Sequence, residues 1–259
     1  MNRKNTARLN SSSPSGLPFY SSPDPADRII PPIPFPFQLT KKKNKTSSLT
    51  KTVCSRIIFP ILLFVHGGIS VSYEIKSARF LAAEMLARIV CPGDSVIDAT
   101  MGNGHDTLFL CKAVGSGGHV YAFDIQPEAV SSTEALLREN GADAQAELFC
   151  RGHEYMAEYI PGKVRAVVFN LGWLPGGDHG ITTRWETTRI AVEKALDLLL
   201  PGGMLVLCAY PGHSEGTREL RELTAFFAAL SNKTFNVLHQ RFLNAAPGAP
   251  ECFAVQRMR

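Results

Sequence analysis

A chain of 259 residues with 45% hydrophobic content can bury one core of ordinary size and carry an extension, which excludes a wholly disordered or fibrous protein. Its formal charge of +4 is unevenly placed: residues 1–70 hold ten Lys/Arg against two acids, Asp24 and Asp27, a net of +8, and the remainder carries −4. The six cysteines form no C-x-x-C pair and no Cys/His cluster with zinc-site spacing, so the expectation is free thiols, a reducing compartment and no metal.

Residues 1–70 are rich in Ser and Pro, poor in acids, and include the basic run Lys41-Lys42-Lys43-Asn44-Lys45. Such a segment buries too little apolar area to offset chain entropy, and its bias is that of an organellar transit peptide. A tail without an address, or a basic tail that binds RNA directly, fits the same composition. The apolar run Ile57-Ile58-Phe59-Pro60-Ile61-Leu62-Leu63-Phe64-Val65 is too short to span a bilayer and lies too far from the start for a secretory signal, so no membrane partner is expected.

The folded domain is expected over 73–259. Residues 77–90 have helical periodicity through Phe80, Leu81, Met85, Leu86 and Ile89, stopped by Cys91-Pro92-Gly93-Asp94. A strand at 95–99 and a helix at 106–113 follow, then Gly115-Ser116-Gly117-Gly118 and a strand from His119 to Asp124. A helix opens at Pro127 and ends at Gly141, before a strand at 146–149, a short helix at 154–159 and a strand at 166–170. Thr183 and Glu186 are spaced as a capping box for a helix over 183–199. A strand at 204–209, a helix at 215–230 and strands at 235–242 and 252–256 complete the chain. Strands alternating with helices predict a doubly wound, mainly parallel, seven-stranded α/β sheet.

The stretch Asp98-Ala99-Thr100-Met101-Gly102-Asn103-Gly104-His105-Asp106-Thr107 joins an apolar strand to a helix through a Gly-x-Gly turn, and Asp124 closes the next strand. Glycines there let a ligand approach the backbone, and Asp124 can take a pair of ribose hydroxyls, so an adenosine-containing cofactor is expected. A dinucleotide fingerprint wants a third glycine where Thr107 stands. A carboxylate at Asp98 repels a pyrophosphate and attracts the ammonium of a methionine moiety, which tilts the expectation towards S-adenosylmethionine. Ligands in such sheets bind beyond the carboxyl ends of the strands, where His153, Asn170, Trp173, Asp178, Tyr210 and His213 all fall. The Asn170 side-chain oxygen can accept hydrogen bonds from an amine, and Trp173 can stack on a flat base. His153, Asp178, Tyr210 and His213 are candidates to orient a nucleophile or receive a proton. Thr182, Thr183, Thr187 and Thr188 read as residues that cap and pack a helix. A Gly/Pro-rich turn around a core tryptophan explains the same segment without chemistry.

Together Asp98 to Thr107, Phe123-Asp124-Ile125-Gln126, Phe169-Asn170-Leu171-Gly172-Trp173-Leu174-Pro175-Gly176-Gly177-Asp178 and Tyr210-Pro211-Gly212-His213 resemble, in order, the bacterial-type tRNA 5-aminomethyl-2-thiouridine methyltransferases, also labelled rRNA methylases. The resemblance runs from about residue 77 to the C-terminus. It implies a Rossmann-like class I methyltransferase that N-methylates the aminomethyl group of wobble uridine by in-line displacement, with S-adenosylmethionine as cofactor and the anticodon arm of a tRNA as partner. It implies cofactor contacts at Asp98, Thr100, Gly102, Asn103, Gly104, Asp106, Thr107, Asp124, Ile125, Gln126, His153 and Asn170. It implies substrate contacts at Trp173, Leu174, Gly176, Gly177 and His179. The family pattern has Tyr at Trp173, Lys at His179 and Gln at Ala245. The leader suggests a plastid more than a mitochondrion, and a homodimer is left open. The −4 charge of the folded part is awkward for an RNA enzyme, and Arg184, Arg189, Lys194 and Arg241 are the candidates for a local basic patch. A methyltransferase acting on a small molecule or protein, a non-catalytic S-adenosylmethionine-binding protein and, more weakly, an NAD-dependent oxidoreductase are the competing readings.

Overall fold

Strands covered on both faces read as unbroken apolar runs, and Val96-Ile97, Val120-Tyr121-Ala122-Phe123 and Ala166-Val167-Val168-Phe169 are such runs. A computed structural model describes residues 77–259; the expected leader at 1–70 and the apolar run within it lie outside the described residues. In chain order the elements are α1 (Ala78–Ile89), β1 (Ser95–Asp98), α2 (His105–Val114), β2 (His119–Asp124), α3 (Pro127–Glu139), β3 (Ala146–Cys150), β4 (Val164–Asn170), α4 (Trp185–Leu198), β5 (Leu199–Ala209), α5 (Ser214–Ala228), β6 (Phe235–Gln240) and β7 (Glu251–Arg257). The short helix expected after β3 is a 3₁₀ helix, His153–Glu158.

The sheet has seven strands in the order β3-β2-β1-β4-β5-β7-β6. β1 to β5 pair in parallel, and β7 runs antiparallel between β5 and β6. Successive residues point to opposite faces, so each strand feeds two cores. Ile97, Phe123, Phe169 and Leu207 pack with Ala191 and Val192 of α4 and Phe227 of α5. Val96, Val120, Val168 and Val206 pack on the other face with Leu86 of α1, Leu110 of α2 and Leu137 of α3. The chain runs outward from β1 to β3, then returns to lay β4 on the other side of β1. That reversal opens a crevice beyond the carboxyl ends of β1 and β4.

Two expectations need correction. Thr183 does not cap α4: Arg184 stands at the cap and makes no side-chain cap bond. The Thr183 hydroxyl donates instead to Glu219 Oε2 at 2.7 Å and accepts from Gly172 N–H at 2.8 Å. Glu219 is 1% exposed, so its carboxylate competes for hydroxyl donors far better than a helix end in contact with water. β5 begins at Leu199, not at 204, because Pro201-Gly202-Gly203 is a bulge within the ladder: Val164 pairs Leu199, and Ala166 pairs Met204.

The turn after β1 is fixed by its contact with α3. Gly104 has φ of +79°, and a Cβ there would lie 2.8 Å from Thr133 Oγ1 and 2.9 Å from Thr133 Cα. Thr133 is fully buried and donates to Gly102 O at 3.0 Å. Gly93 shares the positive φ, at +90°, but nothing lies within 4 Å of its added Cβ. Gly93→Ala therefore isolates backbone strain, expected to cost about 1–2 kcal/mol. Gly104→Ala adds the collision, for a further loss of about 1–3 kcal/mol. Urea midpoints of the two variants measure the difference, and equal losses would show that α3 does not fix the turn.

Candidate functional site

A cavity of about 720 Å³ opens at the crevice, a volume usual for a small-molecule site. Its floor is the turn after β1. Asp124, at the end of β2, accepts from Gly102 N–H at 3.1 Å through one oxygen and from Gln126 N–H at 3.0 Å through the other. A carboxylate has about four acceptor sites, so capacity remains for the hydroxyls of a vicinal diol. Burial pushes the Asp124 carboxyl up, and the backbone donors hold it down. Ile125, 57% exposed on the same wall, offers an apolar surface to a flat ring.

At the other end Asp106, in the first turn of α2, accepts from two sides. Arg79 of α1 donates to its Oδ1 at 2.8 Å, and Asn170 Nδ2 donates to its Oδ2 at 2.7 Å. Asn170 is also tied by its backbone N–H to Thr100 Oγ1 at 2.7 Å. With Nδ2 turned to a carboxylate, Asn170 Oδ1 points away, buried and without a partner. His153 is buried against Phe169, its ring 5.7 Å from the phenyl, and burial lowers its pKa. Burial raises the Tyr210 hydroxyl to about 12, so it holds its proton at neutral pH.

The loop after β4 forms the roof. Asn103 Nδ2 donates to Pro175 O at 3.2 Å, fastening the roof to the glycine turn. Trp173 stacks on His179 with centroids 4.4 Å apart and lies 4.6 Å from the ring of His213. His213 caps α5, its Nδ1 accepting from Gly216 N–H at 3.2 Å.

The cavity wall thus gathers Thr100, Gly102, Asn103, Asp106, Asp124, Ile125, Gln126, His153, Asn170, Trp173, Leu174, Tyr210 and His213. Asp98, Gly104 and Thr107 lie outside it. Asp98 is fully enclosed beneath the turn, accepting from Thr107 Oγ1 at 2.7 Å and Thr100 N–H at 3.2 Å, so it shapes the turn and does not face the cavity. Asp106, not Asp98, is the carboxylate that faces the cavity beside Asn170. Asp178, His179, Gly176 and Gly177 are also off the wall; Asp178 is exposed and accepts from Gly180 N–H at 2.8 Å, which folds the roof loop. Sequence reasoning missed Arg79 and Arg151 on the wall, and Thr133 behind the turn. It read Thr182, Thr183 and Thr187 as helix caps and packing, whereas all three reach the wall, and only Thr188 is wholly interior. Of the expected basic patch, Arg184 is on the wall, and Arg189 is paired with Glu193 on its own helix. Arg241 lines a separate hollow of about 290 Å³ built by the β6–β7 loop. Among the described residues, no helix is long and apolar enough to cross a membrane, and no group of three or more His, Cys, Asp or Glu could hold a metal ion.

Burial and the nearby charge of Asp106 raise the Asp98 carboxyl from 3.8 to about 7. The folded chain therefore keeps a proton there that the unfolded chain releases near pH 4. Its contribution to stability is complete below about pH 4 and is lost as pH rises through about 7. Asp98→Asn should flatten the fall in stability over this window by on the order of a few kcal/mol. Unfolding midpoints of both proteins from pH 4 to 8 give the two slopes, and parallel curves would refute the assignment.

Residues 120–256 match the family model described as putative rRNA methylase. The chain is 42% identical over 165 residues to the chloroplastic tRNA (mnm(5)s(2)U34)-methyltransferase of Arabidopsis thaliana, covering 60% of each protein. A shorter match, 36% identical over 86 residues, joins it to ribosomal protein L11 methyltransferase of Bacillus cytotoxicus, over 33% of this chain and 26% of that protein. The chain thus spans less than two thirds of the length of these curated relatives. Solved structures match over more of their length. A putative rRNA methylase from Clostridium thermocellum is 38% identical with a TM-score of 0.71, over 72% of this chain and all of that one. A putative methyltransferase from Streptococcus mutans, in complex with SAH, is 30% identical with a TM-score of 0.65, over 71% of this chain and 99% of that one. With the strand order, the glycine turn and Asp124 in place, the chain has the class I methyltransferase fold and belongs to the putative rRNA methylase family.

Proposed function

We propose that this chain is an S-adenosylmethionine-dependent tRNA methyltransferase that N-methylates the 5-aminomethyl group of wobble (2-thio)uridine, and that it acts in the chloroplast. The observation that carries the reading is the orphaned Oδ1 of Asn170. It is an acceptor fixed in direction by Asp106 and Thr100, and the N–H of an amine is a partner such an acceptor can take and orient. The Arabidopsis relative supports the substrate and, with the Ser-rich, acid-poor leader, the location.

The residues present fit the cofactor. Asp124 would hold the ribose hydroxyls, Ile125 and Gln126 would flank the adenine, and Asp106 would attract the methionine ammonium. When bound, S-adenosylmethionine supplies an electrophilic methyl on a sulfonium. The protein's task is then to hold the nucleophile. An alkyl amine is largely protonated near neutral pH, with a pKa of roughly 10 by analogy with lysine, so the site must favour the neutral form. Asn170 Oδ1 takes one amine N–H and directs the nitrogen lone pair away from itself. Trp173 provides the flat surface on which the base rests. Tyr210 keeps its own proton and cannot serve as the base. The substrate ammonium gives its proton to water before the arm enters; the nitrogen lone pair then forms the new N–C bond, and the product is a secondary ammonium near the carboxylate of Asp106. Most of the acceleration is positional. Arg151 and Arg184 stand on the cavity wall and form no ion pair among the described residues, which suits them to phosphate.

The test is methyl transfer to tRNA that carries 5-aminomethyl(-2-thio)uridine, with mass spectrometry of the wobble nucleoside. Asn170→Ala should lower turnover by about 100-fold or more while cofactor affinity, by calorimetry, changes by less than about threefold. Parallel losses in turnover and cofactor affinity would remove the role given to Asn170. Wild-type protein that leaves the nucleoside unmethylated would remove the function.

A further inference from the structure

Among the described residues, four buried side-chain polar atoms lack a hydrogen-bond partner, and three of them belong to residues on one cavity wall: Asn170 Oδ1, Thr182 Oγ1 and His213 Nε2. They gather about Trp173. Thr182 pairs with Trp173 in an isolated antiparallel bridge, the His213 ring lies 4.6 Å from the indole, and Asn170 precedes it by three residues. Buried polar groups are nearly always bonded, because an orphan forfeits its hydration without compensation. Three orphans around one aromatic face mark the polar edge of something absent. The proposed reaction uses only the first.

The other two have definite capacities. His213 Nδ1 accepts from Gly216 N–H, so the neutral ring carries its proton on Nε2 and offers a donor there. The Thr182 hydroxyl can accept or donate. A uracil ring substituted at C5 presents, next to the carbon that bears its arm, a carbonyl followed by a ring N–H. That is one acceptor and one donor, the complement of His213 and Thr182.

We propose that Thr182 and His213 are substrate-positioning residues that read this edge. His213 Nε2–H donates to the ring carbonyl, and the Thr182 hydroxyl accepts from the adjacent N–H, while the ring lies on Trp173 and the aminomethyl arm meets Asn170. The assignment rests on the wobble-uridine reading above. The three atoms are sealed from water in this conformation, so the base reaches them by displacing the indole of Trp173 from His213.

Steady-state kinetics with tRNA carrying 5-aminomethyluridine test it. Thr182→Val and His213→Asn should each raise KM for tRNA by about tenfold, the effect of one lost neutral hydrogen bond, with kcat within about threefold and cofactor affinity within about twofold. Thr182→Ser should restore KM. Asparagine at 213 still caps α5, so His213→Asn should melt near the wild type, whereas His213→Ala melts lower and shows the same loss in KM. In a Trp185→Phe background Trp173 is the sole tryptophan, and its emission should shift on binding the tRNA. Unchanged KM in Thr182→Val and His213→Asn, or losses shared by KM, kcat and cofactor affinity, would overturn the assignment, as would an unaltered Trp173 emission on binding. A wild-type protein inactive on this tRNA would overturn the function beneath it and the assignment together, which the wild-type control alone distinguishes.

Discussion

Asp106 is bonded from two sides, and the site depends on that sharing. The guanidinium of Arg79 approaches from α1 and the amide of Asn170 from β4. The arginine's pKa rises through the same contact, its hydrogen bond to Asp106 outweighing the burial that opposes it. The asparagine's consequence is orientation. An amide that must point its NH₂ at a carboxylate has no freedom to flip, so its oxygen is committed to the other side. One carboxylate in the first turn of α2 thereby joins three elements and sets the direction of the acceptor on which the proposed chemistry turns. Its position near a helix N-terminus is itself favourable to a negative charge.

Two further carboxylates are spent on shape. Asp98 and Glu219 are each almost wholly enclosed, and each takes two bonds, Asp98 from a hydroxyl and a backbone N–H, Glu219 from two hydroxyls. Burial raises both carboxyls, Asp98 to about 7. It disfavours the ionised form of each, and the hydroxyl and N–H donors offset part of that cost. What they secure is the loop geometry at the two ends of the cavity: Asp98 draws the turn after β1 against α2, and Glu219 draws the roof loop, through Thr183 and Gly172, against α5. Like charge sets a limit. Asp98 lies close enough to Asp106 to be raised by it, so the enclosed group favours its proton.

The fold was legible because the strands alternate faces over long apolar runs and the connections between them are helical. The first glycine turn and Asp124 were legible for the same reason, since their spacing is local. What escaped the sequence was direction. Asp98 sits two residues after Val96, on the face of β1 that packs against α1 and α2, and strict period-two counting already places it under the helix and away from the ligand. Thr133 carried a signal too. It falls between Ala129 and Leu137 at four-residue spacing, a polar residue on the buried stripe of α3, which marks contact with a polar backbone. Thr183 carried none. Its hydroxyl answers a carboxylate 36 residues away, and no local rule distinguishes that from a helix cap. Arg79 was invisible for the same reason, since its partner lies 27 residues on.

The charge of the folded part remains in tension with an RNA substrate only if every arginine is counted alike. Arg138, Arg189, Arg218 and Arg221 are each bonded to a glutamate on the surface. Exposed pairs of this kind contribute little to stability, but they remove those arginines from competition for phosphate. Arg151 and Arg184 are different: both stand at the cavity, after β3 and at the start of α4, and neither is bonded to a carboxylate among the described residues. On the proposed reading, these two place attraction for the phosphate backbone at the mouth of the site. A small basic footprint cannot hold a nucleic acid by charge alone. Discrimination must then come from the base that enters the cavity, where Trp173 and the unpaired polar atoms around it are placed to supply it.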